Sequence, residues 1–135
     1  MITREADYAL RTIAYLAKDE VKNEKVSTKL LAKEMAIPYR FLRKIVKSLI
    51  DNDLILGLKG KGGGIKLAKD KKYISFAEVI NTISPKCTKI TTCLDDDYEC
   101  ERVKKVKNCP ISNKLKSVQL VLNEELSKQT FEDFK

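Results

Sequence analysis

Cys87, Cys93, Cys100 and Cys109 are the only cysteines in a chain of 135 residues, and all four lie in one short stretch. Five, six and eight residues separate them in turn, slack enough for separate sulfurs to wrap around one cofactor. Thiolates are soft, anionic ligands that suit iron-sulfur chemistry or zinc, and they also serve as redox groups. In an intracellular chain, cysteines in this number are metal ligands or redox thiols more often than a disulfide framework. No Cys-x-x-Cys pair occurs, which weighs against a zinc ribbon or a thioredoxin-like site. The acidic run Asp95-Asp96-Asp97, with Glu99 and Glu101, reads as a solvated face and is given no ligand role. The chain has no histidine and no hydrolase or kinase motif, so it lacks the acid-base constellation an enzyme needs.

The second group of residues that can do chemistry is cationic. The net charge is +8, and between Lys25 and Lys72 thirteen basic residues stand against four acidic ones, which leaves the rest of the chain close to neutral. Charge concentrated in this way is the footprint of a phosphate-binding surface, whereas a merely lysine-rich protein spreads it. Arg40, Arg43, Lys44 and Lys47 recur at i, i+3, i+4 and i+7, one face of a helix, while Phe41, Leu42, Ile45, Val46 and Leu49 form the opposing apolar stripe. Arginine near the start of such a helix can take guanine bidentately, and the lysines suit phosphates.

The elements that position these groups follow from local signals. Thr3 can cap a first helix whose apolar residues Ala6, Ala9, Leu10, Ile13, Ala14 and Ala17 share a face, with Glu5 and Asp7 near its positive end. Val26-Ser27 supplies a staple and cap for a short second helix through Leu30, Leu31 and Met35. Ile37-Pro38 interrupts it, and Pro38 suits the first turn of the basic third helix. Two short helices joined by a tight turn, the second basic, match a helix-turn-helix. Leu54–Leu58 and Ile65–Leu67 then flank Lys59-Gly60-Lys61-Gly62-Gly63-Gly64, a β-hairpin with a basic, glycine-rich tip, which after a helix-turn-helix is a wing. A nucleotide-phosphate loop is the competing reading, but no Lys-Ser/Thr follows the glycines and a strand comes next. Candidate DNA contacts are Thr28, Tyr39, Arg40, Arg43, Lys44, Lys47, Lys59, Lys61 and Gly62.

Ser75-Phe76-Ala77-Glu78 is a capping box for a helix running to about Ile83, which Pro85 ends. A loop of roughly 25 residues holds the cysteines, and a loop of that length in a small domain is functional or disordered. After Pro110, Ile111, Leu115, Val118, Leu122 and Leu126 repeat at intervals of four and three, a stripe that seeks a partner helix; packing back on its own domain is the alternative. Thr130 to Phe134 can cap a last short turn. The length supports one modest core. The expected fold is mainly α with a small β-hairpin: a winged helix-turn-helix over residues 1–84, a cysteine loop over 85–110, and a dimerisation helix and tail over 111–135. No apolar run reaches the roughly 18 residues of a membrane span, and the first residues lead straight into an amphipathic segment, so the expected location is the cytoplasm.

This order of motifs resembles the Rrf2 family of bacterial regulators. The likeness covers essentially the whole chain and is carried by Tyr8-Ala9-Leu10-Arg11, by Ile37-Pro38-Tyr39-Arg40-Phe41-Leu42, by Gly60-Lys61-Gly62-Gly63-Gly64 and by Cys87, Cys93 and Cys109. The resemblance implies a homodimeric transcription factor, often a repressor, on a pseudo-palindromic double-stranded DNA operator. It also implies a 2Fe-2S or 4Fe-4S cluster on three loop cysteines, controlling operator binding in response to iron, redox or nitric oxide status. The fourth ligand varies in the family. Where some members have a histidine this chain has Ser112; others use an acid in the first helix of the other subunit, a position held here by Asp7, and Cys100 is extra to the pattern. A cluster-free thiol-switch or ligand-responsive regulator of the same family, as in cysteine metabolism, is the alternative. An iron-sulfur electron carrier is a distant one that leaves the basic helix and wing unused.

Overall fold

In the computed structural model, which describes residues 2–86, 88–105 and 108–135, three helices begin where a hydroxyl can accept an otherwise unpaired amide. Thr3 accepts from Ala6, Ser27 from Leu30 and Ser75 from Glu78, opening α1 (Arg4–Leu16), α2 (Thr28–Glu34) and α4 (Phe76–Ile83). Each such cap stabilises its helix by about 1 kcal/mol. The box at Ser75 closes on one side only, because the Glu78 carboxylate turns to Lys69 at 2.7 Å.

The turn between α2 and α3 (Tyr39–Asp51) is built by the end of α2. Ile37 N–H reaches back to the Ala32 carbonyl and Ala36 N–H to that of Lys33, with Ala36 at φ 51°. This 6→1, 5→2 pattern is a Schellman ending, here with alanine where glycine is usual, and it buries Ile37. The end of α3 repeats it: Leu54 bonds to Leu49 and Asp53 to Ile50, with Asp53 at φ 58°. Pro38 precedes α3 as its N-cap instead of lying in its first turn.

The wing is an antiparallel pair, β1 (Ile55–Leu58) and β2 (Gly64–Leu67), with Ile55 opposite Leu67 and Leu58 opposite Gly64. Ile65 and Val26 exchange both backbone hydrogen bonds, at 2.8 and 2.9 Å, which ties the wing to the start of α2. A side chain at Gly63 would put Cβ 2.2 Å from the Leu58 carbonyl oxygen, so the tip closes only with glycine there.

The core gathers Ile13 and Leu16 of α1, Leu31 of α2, Leu42, Ile45 and Leu49 of α3, and Val79 of α4. Phe41, expected in that stripe, is instead 49% exposed; it sits at the edge of the stripe, where four other apolar residues already fill the contact with α1 and α2. The cysteine stretch is less irregular than expected, with a 3-10 turn at Thr92–Leu94 and a short α5 (Glu101–Lys105).

Pro110 stands in the first turn of α6 (Pro110–Lys128). The apolar stripe read along α6 divides: Leu115 and Leu126 are half-buried against the rest of the chain, whereas Ile111, Val118 and Leu122 are exposed together with Leu120 and Val121. Beyond α6 the chain returns to the winged half. Gln129 accepts from the Phe76 amide, Thr130 bridges Ser75, and Phe131 is fully buried. Among the described residues, no helix is long and apolar enough to cross a membrane.

Candidate functional site

The sequence-derived DNA contacts fall on two adjoining surfaces. Arg40, Arg43, Lys44 and Lys47 together line one shallow depression on the outer face of α3. Thr28, Tyr39 and Lys59 line a neighbouring cleft of about 520 Å³ between the start of α2, α3 and the wing; Lys29, which no sequence signal singles out, lines it too. Arg43 lies 5.8 Å from the centroid of the Tyr39 ring, a cation–π distance that restricts the guanidinium before any ligand arrives. Lys61 and Gly62 are exposed at the wing tip, with Gly62 at φ 77°, a backbone conformation favouring glycine.

Several cations elsewhere in the chain are neutralised by a neighbouring acid. Lys69, Lys71, Lys86, Lys104 and Lys128 each pair with a carboxylate. Among the described residues, no acidic group lies within ion-pair distance of Arg40, Arg43, Lys44, Lys47, Lys59 or Lys61. An uncompensated positive face of this kind raises the local concentration of polyanions.

The cysteines form a second site. Cys93 in the 3-10 turn, Cys100 before α5 and Cys109 at the head of α6 line one cavity of about 570 Å³. All three are free thiols of intermediate exposure; Cys87 lies outside the described residues. Cys93 Sγ is 3.6 Å from Thr91 Oγ1 and 3.9 Å from Ser112 Oγ. Ile111 and Leu115 form the apolar wall, and Arg102 and Lys104 lie at the rim. No three His, Cys, Asp or Glu side chains among the described residues converge as a single metal ion requires. A polynuclear cluster makes a different demand, since its thiolates are spread over more than one iron. Soft donors on three separate elements around one open volume fit that demand. Asp7 does not line this cavity; its carboxylate accepts from Arg11 Nε at 2.9 Å on the surface of α1.

Gln119 escapes sequence reasoning, because a polar residue within a helix reads as solvent-facing. It is 5% exposed, and its amide clasps the cysteine stretch: Nε2 donates to the Thr88 carbonyl at 2.5 Å while Oε1 accepts from Ile90 N–H at 2.8 Å. Asn123 Oδ1 takes the second Nε2 proton at 2.8 Å. The side chain thus pairs with the backbone as a neighbouring strand would, and it fixes the segment between Cys87 and Cys93 to α6.

Residues 2–135 match the model of the Rrf2 family, described as iron-dependent transcriptional regulators. The chain belongs to the Rrf2 family. The HTH-type transcriptional regulator NsrR of Shouchella clausii is 38% identical to this Rrf2 protein over 79 residues, 58% of the chain and 52% of NsrR. The NsrR of Bacillus subtilis is 27% identical over 125 residues, 93% of the chain and 78% of that regulator. The matched segment thus spans about half the length of the first of these relatives. Among solved structures, CymR, the global cysteine regulator of B. subtilis, superposes with a TM-score of 0.75 at 20% identity, covering 98% of this chain and 94% of CymR. IscR of T. potens gives 0.68 at 19% identity, covering 98% and 84%. This Rrf2 protein therefore has the expected winged-helix fold with a C-terminal helix, and its named relatives are transcriptional regulators, not enzymes.

Proposed function

We propose that this Rrf2 protein is a homodimeric transcriptional repressor that binds a pseudo-palindromic operator, and that the state of an iron-sulfur cluster in the cysteine cavity sets its affinity. The observation that carries this reading is the arrangement of Cys93, Cys100 and Cys109 around one cavity at the head of α6. The cluster would rest on Cys87, Cys93 and Cys109, with its last iron reached either by Asp7 of a second copy, as the resemblance implies, or by Cys100, which lines the same cavity as two of the others. When bound, such a cluster supplies a centre responsive to iron supply, redox state or nitric oxide. The protein's own groups do the rest. Gln119 and the apolar wall of Ile111 and Leu115 hold the thiols in place, Arg40 and Arg43 meet base edges, and Lys44, Lys47, Lys59 and Lys61 meet phosphates, with Thr28, Tyr39 and the Gly62 backbone along the same surface. The exposed apolar side of α6 docks on a second copy. Residues 1–84, 85–110 and 111–135 divide these tasks.

An anaerobic preparation tests the reading: a visible iron-sulfur spectrum with matched iron and sulfide is expected, and its loss should change operator affinity. Asp7→Ala and Cys100→Ala, made separately, identify the remaining ligand by which of them bleaches or alters the spectrum. A cluster-free thiol switch is the second reading, favoured by three free thiols on one cavity. It requires an iron-free preparation that forms a disulfide within this set and changes DNA affinity when it does so.

A further inference from the structure

Phe41 is the one large apolar side chain left exposed in the first turn of α3 that has no partner of its own. Tyr39, its neighbour in that turn, lies against Arg43. Among the described residues Phe41 has neither an aromatic ring nor a cation stacked on it, and 49% of it faces solvent. It borders the basic face directly, with Arg40 beside it, Lys44 one turn on and Ser48 two turns on.

The first turn of a recognition helix is where helix-turn-helix proteins reach base edges. In the major groove the bases are read chiefly through hydrogen-bonding groups, and thymine alone adds a bulky apolar one, its C5-methyl. A phenyl ring carried into the groove by four cations either covers that methyl or desolvates a polar edge it cannot satisfy. We propose that Phe41 reads a thymine in each operator half-site through the C5-methyl group, and so sets sequence preference together with Arg40. This inference rests on α3 being the recognition helix.

The test starts from random DNA, so the operator sequence is found by the experiment itself. Duplexes are selected from a randomised pool with the purified full chain, and each thymine of the selected sequence is replaced in turn by deoxyuridine, which removes only the methyl. One position per half-site is expected to weaken wild-type binding roughly fourfold, the worth of one buried methyl-sized group. Phe41→Ala should bind thymine and deoxyuridine duplexes equally at that position, while its affinity for a random duplex stays within about twofold of wild type. Phe41→Gln, polar and similar in length, should also lose the methyl dependence and shift preference towards adenine. The proposal is overturned if no thymine is methyl-sensitive, or if either variant keeps the full sensitivity. Should Arg40→Ala relax the selected sequence while every deoxyuridine duplex binds normally, Phe41 has no such role but α3 still reads DNA. If selection returns no preferred sequence at all, the recognition-helix reading fails and this inference fails with it.

Discussion

Phe131, just beyond α6, stacks on Phe76, the first residue of α4, with ring centroids 4.8 Å apart. Phe131 is fully buried, and Phe134 packs against it at 5.4 Å between ring centroids. A segment that the sequence suggests is a tail is therefore part of the core. Phe131→Ala should destabilise the fold by about 3–5 kcal/mol, the range for a truncated core phenylalanine. For a domain of this size that lowers Tm by roughly 10–20 °C in a calorimetric scan; a shift of only a degree or two would show that the tail is dispensable.

Lys71 holds the same tail from the other side. Its ammonium, in a side chain only 15% exposed, donates to the carbonyls of Ala17 and Phe134 and to Asp19 Oδ1. Lys71→Met keeps the stem and removes the donors, and should cost about 1–3 kcal/mol in urea unfolding at neutral pH. The hydrogen bond and charge of Lys71 hold the Asp19 carboxyl below its ordinary range. Because the folded value is the lower one, Asp19 contributes its stability above the unfolded carboxylate pKa of about 3.9 and loses it as pH falls through the folded value. The gap between wild type and Lys71→Met should narrow on going from pH 7 to pH 3. A gap that stays the same from pH 7 to pH 3 would mean Asp19 plays no part.

Gln119→Leu should release the cysteine stretch from α6. The substitution leaves the Ile90 N–H and Thr88 carbonyl without partners, and Gln119→Glu restores the acceptor but sets a carboxylate against the Thr88 oxygen. Hydrogen exchange at Ile90 should rise roughly 5- to 150-fold in both variants, corresponding to about 1–3 kcal/mol of lost protection. Unchanged exchange would show that the loop is held by something else.

The exposed side of α6 makes the assembly testable. On the proposed dimer, Val118→Asp with Val121→Asp places two charges on a face that a partner helix would have to dry, and the double variant should sediment as a monomer at concentrations where wild type is dimeric. Leu115 is a poorer site for this test, since it also walls the cysteine cavity. A double variant that remains dimeric places the interface elsewhere.

Much of the fold is legible because its signals are local. The caps at Thr3, Ser27 and Ser75 act over three residues, and the wing is set by its own glycines. The basic face of α3 is legible for the same reason, being a pattern along one helix. What escapes is what depends on distant neighbours. Phe41 has the composition of the core stripe, and only the packing of α1 and α2 around Leu42, Ile45 and Leu49 decides that it is left outside. Phe131 is bound to Phe76, far away in sequence, and Gln119 is buried by a loop whose path no periodicity encodes. The single run of apolar residues on α6 conceals two faces, because heptad spacing alone does not say which member turns inward.

With 19 residues, α6 is about 28 Å long at 1.5 Å per residue, and its two ends are held differently. The Cys109 end borders an open cavity, while the Gln129–Phe131 end is clamped to α4 by backbone bonds and a buried ring. A rod fixed at one end and loaded at the other acts as a lever with its fulcrum at the clamp. On the proposed dimer, small displacements at the cysteine end would arrive at the winged half as rotation, and two such rods would change the angle between the α3 helices before they change the distance between them.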